Sequence, residues 1–236
     1  MPYNPDFVYQ PPYSPYLTLV YQDDHIVVAN KPSGLLSVPG RAEAHKDSLA
    51  RRVQQVYPTA TVVHRLDLAT SGIMIMALNK AAHRHISKQF ETRKTRKRYY
   101  ARVYGEMKVS QGEVAKPLIV DWPNRPKQKV DHKNGKPSLT RYERIDGNDK
   151  ETTVALYPVT GRSHQLRVHM LAIGHPILGD RLYANEEGKA MASRLQLHAE
   201  SLQITHPHTG ETMLFTAPVP FMDTQPEPLP ATSPFC

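Results

Sequence analysis

Apolar positions along the chain follow two spacings, one typical of strands and the other of helices. Short runs rich in β-branched and aromatic residues, bounded by turn residues, indicate strands. The predicted strands cover 17–21, 26–30, 73–78, 99–104, 152–157, 195–204 and 211–216. Apolar residues three or four positions apart predict three helices, over 47–57, 81–92 and 163–173. Many short strands with few helices favour an α+β domain built on a mixed, mostly antiparallel sheet.

Proline marks both ends of this pattern. Of the 21 prolines, five lie within residues 1–15 and six within 218–234. Such ends do not bury enough apolar surface to fold alone, so we predict extended or disordered tails. The predicted organisation is an N-terminal tail over 1–16, one folded domain over 17–218 and a Pro-rich C-terminal tail over 219–236.

Charge and cysteine content narrow the class of protein. Lys and Arg exceed Asp and Glu by 30 to 22, which gives a net charge of +8 and favours a polyanionic partner. The only cysteine, Cys236, is the last residue, which argues against disulfides, Cys-based zinc sites and a cysteine nucleophile. No apolar run approaches the ~18–20 residues of a membrane span, and residues 1–5 lack the features of a signal peptide. We therefore expect a soluble, cytoplasmic protein.

A charged pair lies in a tight turn between two apolar runs, in the sequence HRLDLATSG at 64–72. Loops held between core strands are common places for functional residues. Considered alone, the pair is as consistent with a structural salt bridge between Arg65 and Asp67. The run resembles the signature H-R-L-D-x-x-T-S-G of the RluA family of pseudouridine synthases at all seven specified positions. The resemblance implies that Asp67 is the catalytic carboxylate.

Further segments resemble the same family and occur in the family's order. They are KPSGL at 31–35, KRYYARVYG at 97–105, TGRSHQLRVH at 160–169, GHPILGD at 174–180 and LHA at 197–199. The resemblance covers about 17–218 and implies the pseudouridine synthase fold, without the S4-type RNA-binding module of larger family members.

The resemblance also implies a role for several residues. The segment 31–35 would support the active-site loop, and Tyr99 would lie against the target base. Arg167 would pair with the catalytic carboxylate and favour its charged form, and Leu166 would line the base pocket. Arg65 would fill the space left by a flipped nucleotide. For Tyr99, a strand aromatic is more often ordinary core packing, so that reading stays open.

Pseudouridine formation suits these residue types. The reaction breaks the N1–C1′ bond of uridine, turns the base and rejoins it through C5, so it consumes no cofactor and needs no metal. An ionised carboxylate can attack C1′, take a proton from C2′ or stabilise positive charge on the sugar, and the sequence leaves that step open. A base in a folded RNA must first leave its stack.

Two basic runs are candidates for phosphate contacts. The first comprises Arg93, Lys94, Arg96, Lys97 and Arg98, directly before Tyr99. The second comprises Arg125, Lys127 and Lys129, near Trp122. Either run alone is also consistent with a plain solvated face. Three segments beyond the shared motifs, around 21–25, 35–41 and 121–129, resemble a dual-specificity member, which implies two structured RNA partners, a tRNA anticodon stem-loop and a 23S rRNA stem-loop.

Three other functions compete with this one. A uridine methyltransferase would need a cysteine nucleophile and a nucleotide-binding glycine motif, and neither is apparent. A metallohydrolase is disfavoured because no H-E-x-x-H occurs and His164 and His169 are five residues apart. A non-catalytic RNA-binding module would have no need of Asp67. A synthase acting on one RNA only also remains open. The lack of heptads favours a monomer.

Overall fold

This computed structural model describes residues 8–227 and 229. Within them the chain forms twelve strands and four α-helices, joined by loops. The strands are β1 Leu19–Gln22, β2 Ile26–Lys31, β3 Thr61–Val62, β4 Ser71–Ala77, β5 Arg96–Tyr104, β6 Gln111–Val114, β7 Leu118–Val120, β8 Gln128–Val130, β9 Thr140–Gly147, β10 Glu151–Pro158, β11 Leu197–Thr205 and β12 Thr212–Thr216. The helices are α1 Leu49–Gln54, α2 Lys80–Glu91, α3 Gln165–Ala172 and α4 Glu186–Ala190. Short 3-10 turns cover Glu43–His45 and Trp122–Asn124.

Ten of the strands form one sheet in the order β1-β2-β4-β11-β5-β10-β9-β6, with β3 beside β4 and β12 beside β11. Strands β4 and β11 run parallel where Ser71 faces His198 and Gly72 faces Ala199. The other pairs in the sheet are antiparallel. Strands β7 and β8 form a separate hairpin. The predicted α+β class with a mixed, mostly antiparallel sheet is confirmed.

The central strands bury both of their faces, as continuous apolar runs do. In β4, Ile73 and Ile75 pack with Ile86 of α2 on one face, whereas Met74 packs with Val53 of α1 on the other. Because side chains alternate along a strand, each strand connects two clusters of the core. Helix α3 packs its Leu166 and Met170 on β5 and β10.

The predicted helices are present with shifted ends, and the caps explain the shifts. Helix α2 begins at Lys80 because the Asn79 side chain accepts the Ala82 N–H at 2.9 Å. Ser48, rather than the predicted Asp47, caps α1. Asp47 instead pairs with Arg52 at 2.6 Å. Helix α4 was not predicted.

Gly72 closes the loop that bears Asp67, and its lack of a side chain is required there. Its φ is +116°, in a region that favours glycine. A Cβ at this position would lie 2.2 Å from the carbonyl oxygen of Ala199 on β11. The parallel pairing of β4 with β11 therefore depends on this glycine.

Where the structure describes them, the two flanks predicted as extended or disordered tails lie against the folded domain. The Tyr9 hydroxyl donates to the carbonyl of Asp47 at 2.8 Å, and the Arg52 guanidinium lies 4.3 Å from the centre of the Tyr16 ring. At the other end, Val219 and Leu229 are buried in one cluster with Tyr100. The rest of the predicted tails, residues 1–7, 228 and 230–236 with Cys236, lies outside the described residues. Within residues 8–227 and 229, no helix has the length and apolar character to cross a bilayer.

Because His198 is buried, we predict that the free energy of unfolding falls in acid. Its Nδ1 lies 2.9 Å from Ser71 Oγ, and burial lowers its pKa to about 4. An unfolded histidine takes up its proton near pH 6.5, so acid favours the unfolded chain over the interval between these two pKa values. We expect this group to remove about 1.4 kcal/mol of unfolding free energy per pH unit from pH 6.5 down to about 4.

Urea unfolding at several pH values measures that slope. The His198→Asn variant is expected to have a shallower slope than the wild-type chain, whereas His132→Asn at an exposed position leaves it unchanged. An equal slope in His198→Asn and the wild-type chain would contradict the assignment.

Candidate active site

The backbone of the loop between β3 and β4, which carries Asp67, is held by residues of the segment after β2. Ser37 Oγ donates to the Leu66 carbonyl at 2.6 Å and accepts the Leu66 N–H at 3.1 Å. Ser33 Oγ donates to the Ala69 carbonyl at 2.7 Å, and the Gly34 N–H donates to Leu68 at 2.9 Å. These bonds fix the residues on both sides of Asp67.

Lys31 anchors the same loop from inside the protein. Its side chain is fully buried, and Nζ donates to the carbonyls of Pro32, Leu35 and Leu68 at 3.0, 2.7 and 3.1 Å. Burial lowers the pKa of Lys31 to about 7, and the nearby charge of Asp67 opposes that shift. The loop contacts of the segment 31–35 thus combine this amino group with Ser33 and Gly34.

Arg167 joins the loop to helix α3 and is almost entirely buried. It makes two hydrogen bonds of 2.7 Å to the carboxylate of Asp180, while its Nη1 lies 3.4 Å from Asp67 Oδ2. This bidentate pair of hydrogen bonds fixes the plane of the guanidinium. Asp180 and Asp67 hold the pKa of Arg167 above its usual value, against the effect of burial. The predicted pairing of Arg167 with Asp67 is present, but Asp180 is the stronger partner.

His164 lies on the other side of the Asp67 carboxylate. Its backbone is left-handed, with φ of +54°, so α3 begins at Gln165 and not at the predicted Ser163. The Nε2 of His164 lies 3.9 Å from Asp67 Oδ2, and its Nδ1 lies 2.6 Å from the hydroxyl of Tyr183. Burial lowers the pKa of His164.

Most of the remaining polar residues in the segment 160–169 are structural. Gln165 Oε1 accepts from Thr160 Oγ1 at 2.6 Å and from the Arg162 N–H at 3.0 Å, which shapes the turn before α3. His169 is buried, and its Nδ1 lies 2.9 Å from Thr140 Oγ1 on β9. The motif thus combines groups that face the carboxylate with groups that attach the helix to the sheet.

A cleft of about 110 Å³ opens beside Asp67. Tyr99 on β5 lines it together with three leucines, Leu66, Leu166 and Leu197. Burial, and to a smaller extent the charge of Asp67, raises the pKa of Tyr99, so its hydroxyl stays protonated. Four cations also line the cleft: Arg65, Lys97, Arg162 and Arg167. An apolar slot with cations around it can hold a flat, neutral base attached to an anionic backbone.

Arg65 lines the cleft and is exposed. Among the described residues no salt bridge joins Arg65 to Asp67, so the structural reading of this pair is wrong. The cation at the carboxylate is Arg167 from a distant part of the chain. His64, the first residue of the motif, accepts the Ile75 N–H through Nε2 at 3.0 Å and stacks on the Phe90 ring at 4.6 Å.

The first basic run divides between two faces because β5 begins at Arg96 and not at the predicted Tyr99. Lys97 shares the cleft face with Tyr99, and burial lowers its pKa to about 8. Arg98 points to the opposite face, where it is buried and donates to Glu200 at 2.9 Å. The prediction that Arg98 contacts RNA is therefore corrected. Arg96 alternates with Lys97 and also points away from the cleft face. Arg93 and Lys94, before the strand, are exposed.

The second basic run lies on the β7–β8 hairpin. The Arg125 guanidinium lies 4.0 Å from the centre of the exposed Trp122 ring. Lys127 is partly exposed and Lys129 is exposed, with its Nζ 3.8 Å from Asp121. The described residues contain no group of three or more His, Cys, Asp or Glu side chains suited to a metal ion.

Residues 25–172 match the sequence pattern of the RNA pseudouridylate synthase family. The chain belongs to this family. The dual-specificity RNA pseudouridine synthase RluA of Escherichia coli strain K12 is 59% identical over 214 residues, which are 90% of this chain and 98% of the relative. The RluA of Yersinia pestis is 58% identical over 206 residues, 87% of this chain and all of the relative.

A solved structure extends the comparison to the fold. Human RNA Pseudouridylate Synthase Domain Containing 1 superimposes with a TM-score of 0.76 at 29% identity and covers 94% of each chain. The chain is accordingly an RNA pseudouridine synthase, an isomerase, and it is similar to the RluA proteins over 87–90% of its length.

Three residues of this synthase site had no role assigned from the sequence, and a fourth, Lys31, belonged to a segment that was predicted only to support the loop. Lys31, Asp180 and His164 lie in segments that resemble the family, so their positions, though not their contacts, could have been suspected. Tyr183 lies outside those segments, and no signal in the sequence distinguishes it from the chain's other tyrosines.

Replacing Lys31 with Met is expected to loosen the loop that carries Asp67. Three carbonyls lose a charged donor, which should cost about 3 kcal/mol of unfolding free energy. Urea unfolding measures the loss, and hydrogen exchange at the amides of 66–70 locates it. The matched control is Lys133→Met at an exposed lysine. Equal stability and equal exchange in both variants would show that Lys31 does not hold the loop.

Proposed function

We propose that this synthase isomerises one uridine in a tRNA anticodon stem-loop and one in a 23S rRNA stem-loop, with Asp67 as the catalytic carboxylate. The observation that carries the proposal is the position of Asp67: it is 28% exposed in a cleft of base-binding character, beside a buried cation that does not depend on it for neutralisation. Asp180 already balances Arg167, so Asp67 stays available for chemistry.

The cleft residues divide the work by their chemistry. Asp67 acts on the ribose, by attack at C1′ or by removing the C2′ proton, and Arg167 stabilises its ionised form. Tyr99 and the leucines, among them Leu166, bind the faces of the uracil. The tyrosine stays protonated because its pKa is raised, which favours stacking over a role as a base. The base is the group that turns, so it needs apolar contacts that resist rotation little.

The target uridine must be flipped to reach Asp67. Arg65 is exposed at the same cleft, and its guanidinium is free of Asp67, which suits insertion into the space that the base leaves. Exposed or partly exposed cations would contact phosphates: Arg93, Lys94, Arg125, Lys127 and Lys129, together with Arg162 and Lys97, which line the cleft. Arg96 and Arg98 are not part of this proposed surface.

The identity of the two RNAs is supported by likeness to relatives named dual-specificity synthases. The match extends over 98% of the Escherichia coli relative, so it includes the loops outside the shared motifs.

We further propose that the enzyme acts as a monomer in the cytoplasm, where both RNAs occur. Size-exclusion chromatography with light scattering tests the oligomeric state.

Pseudouridine mapping on transcripts tests the substrates directly. The purified enzyme, with no cofactor or metal added, is expected to convert one uridine in a tRNA anticodon stem-loop and one in a 23S rRNA stem-loop. The control is each stem closed by a scrambled loop, which should stay unmodified. Conversion of only one RNA would reduce the proposal to a single-substrate synthase. Conversion of neither would contradict it.

A further inference from the structure

Tyr183 lies outside the short motif segments quoted from the sequence, yet it contacts the β7–β8 hairpin and two residues that face Asp67. Its hydroxyl accepts the Gln128 N–H at 2.7 Å and lies 2.6 Å from His164 Nδ1. Its ring lies 5.0 Å from the guanidinium of Arg167. The Asp180 carboxylate, which holds that guanidinium, also accepts the Tyr183 N–H at 3.3 Å.

The hydrogens available to these contacts favour one tautomer of His164. The Tyr183 oxygen accepts from a backbone N–H, and the hydroxyl has a single hydrogen to donate. Among the described residues, the acceptor within reach is His164 Nδ1. A neutral imidazole that accepts at Nδ1 carries its hydrogen on Nε2. That N–H faces Asp67, with 3.9 Å between Nε2 and Oδ2.

We propose that Tyr183 and His164 are positioning residues for catalysis: Tyr183 holds His164 in the Nε2–H form, and this N–H orients the Asp67 carboxylate in the complex with RNA. The present distance is longer than a hydrogen bond. Catalytic hydrogen bonds are often long in the free enzyme and shorten when substrate binds. The inference rests on the proposed role of Asp67.

The charges around the imidazole agree with a neutral His164. Burial is the largest influence on the pKa of His164 and lowers it, the carboxylates of Asp67 and Asp180 raise it, and the net shift is downward. Arg167 and Arg65 lower it further. Burial raises the pKa of Tyr183 to about 12, so its hydroxyl keeps the hydrogen that the chain of bonds needs. Asp67 therefore has a neutral donor on one side and the cation of Arg167 on the other.

The chain of bonds also connects the carboxylate to the β7–β8 hairpin. Gln128 is the first residue of β8, next to Lys127 and Lys129, which we propose contact the RNA. RNA bound to the hairpin and the orientation of Asp67 would thus be coupled through Tyr183 and His164.

Nitrogen NMR of the imidazoles tests the tautomer without any RNA. The His164 ring is assigned by its loss in His164→Asn and is expected to show a hydrogen on Nε2 at pH 7.5. In Tyr183→Phe, which removes only the hydroxyl, the Nε2–H form should no longer be the sole species. An Nδ1–H ring in the wild-type enzyme would overturn the proposal.

Single-turnover kinetics on the RNA that wild type modifies test the role. His164→Asn keeps an acceptor near Nδ1 but lacks the donor at Nε2, and asparagine tolerates a left-handed backbone well. His164→Gln places an amide N–H near the Nε2 position. We expect the maximal rate to fall on the order of tenfold or more in His164→Asn, with partial recovery in His164→Gln. Tyr183→Phe should lower it as well, and RNA affinity should hold within about twofold in all three.

The outcomes separate this proposal from the one on which it rests. Equal maximal rates in wild type and His164→Asn, or a loss confined to RNA affinity, would overturn the positioning role and leave Asp67 untouched. If wild type modified neither RNA, the proposed substrates would fail, while the NMR experiment would still decide the tautomer.

Discussion

The buried guanidinium of Arg167 is the interaction on which the active site depends. A charge that has left water must be paired and hydrogen-bonded, and Asp180 provides both through two bonds of 2.7 Å. Arg167 is thereby fixed in place before Asp67 is considered. Asp67 Oδ2 lies 3.4 Å from Arg167 Nη1, so Asp67 is exposed to the positive charge although Arg167 does not need it as a partner. A partly exposed carboxylate beside a fixed cation follows from this division between two acids.

On the opposite side of the loop, another buried polar group must likewise find hydrogen-bond partners inside the protein. The buried amino group of Lys31 is satisfied by three carbonyls and not by an acid. Its bonds, with those of Ser37, turn the loop carbonyls inward, and Gly72 lets β4 approach β11 directly after the turn. The Asp67 side chain is therefore directed into the cleft by backbone contacts on both sides of it.

The sequence predicted the fold class and the central motif well, because apolar period and motif letters are local properties. It did not predict which acid pairs with Arg167, because Asp180 is 13 residues away in the sequence and lies beside Arg167 only in the folded chain. Arg98 shows a second limit: in the sequence it is one of five neighbouring cations, and only the start of β5 at Arg96 sends it to the buried face with Glu200. For Tyr183, no pattern in the sequence separated it from the other tyrosines of the chain.

The measurement that tests the central claim most directly is the single-turnover conversion of uridine by Asp67→Asn, with the RNA dissociation constant measured in parallel. Asparagine has nearly the same shape, so the variant removes the charge and leaves the loop and its contacts to Lys31 and Ser37. The account predicts that conversion falls below detection while RNA affinity stays within about tenfold, or 1.4 kcal/mol. Conversion by Asp67→Asn at the wild-type rate would contradict it.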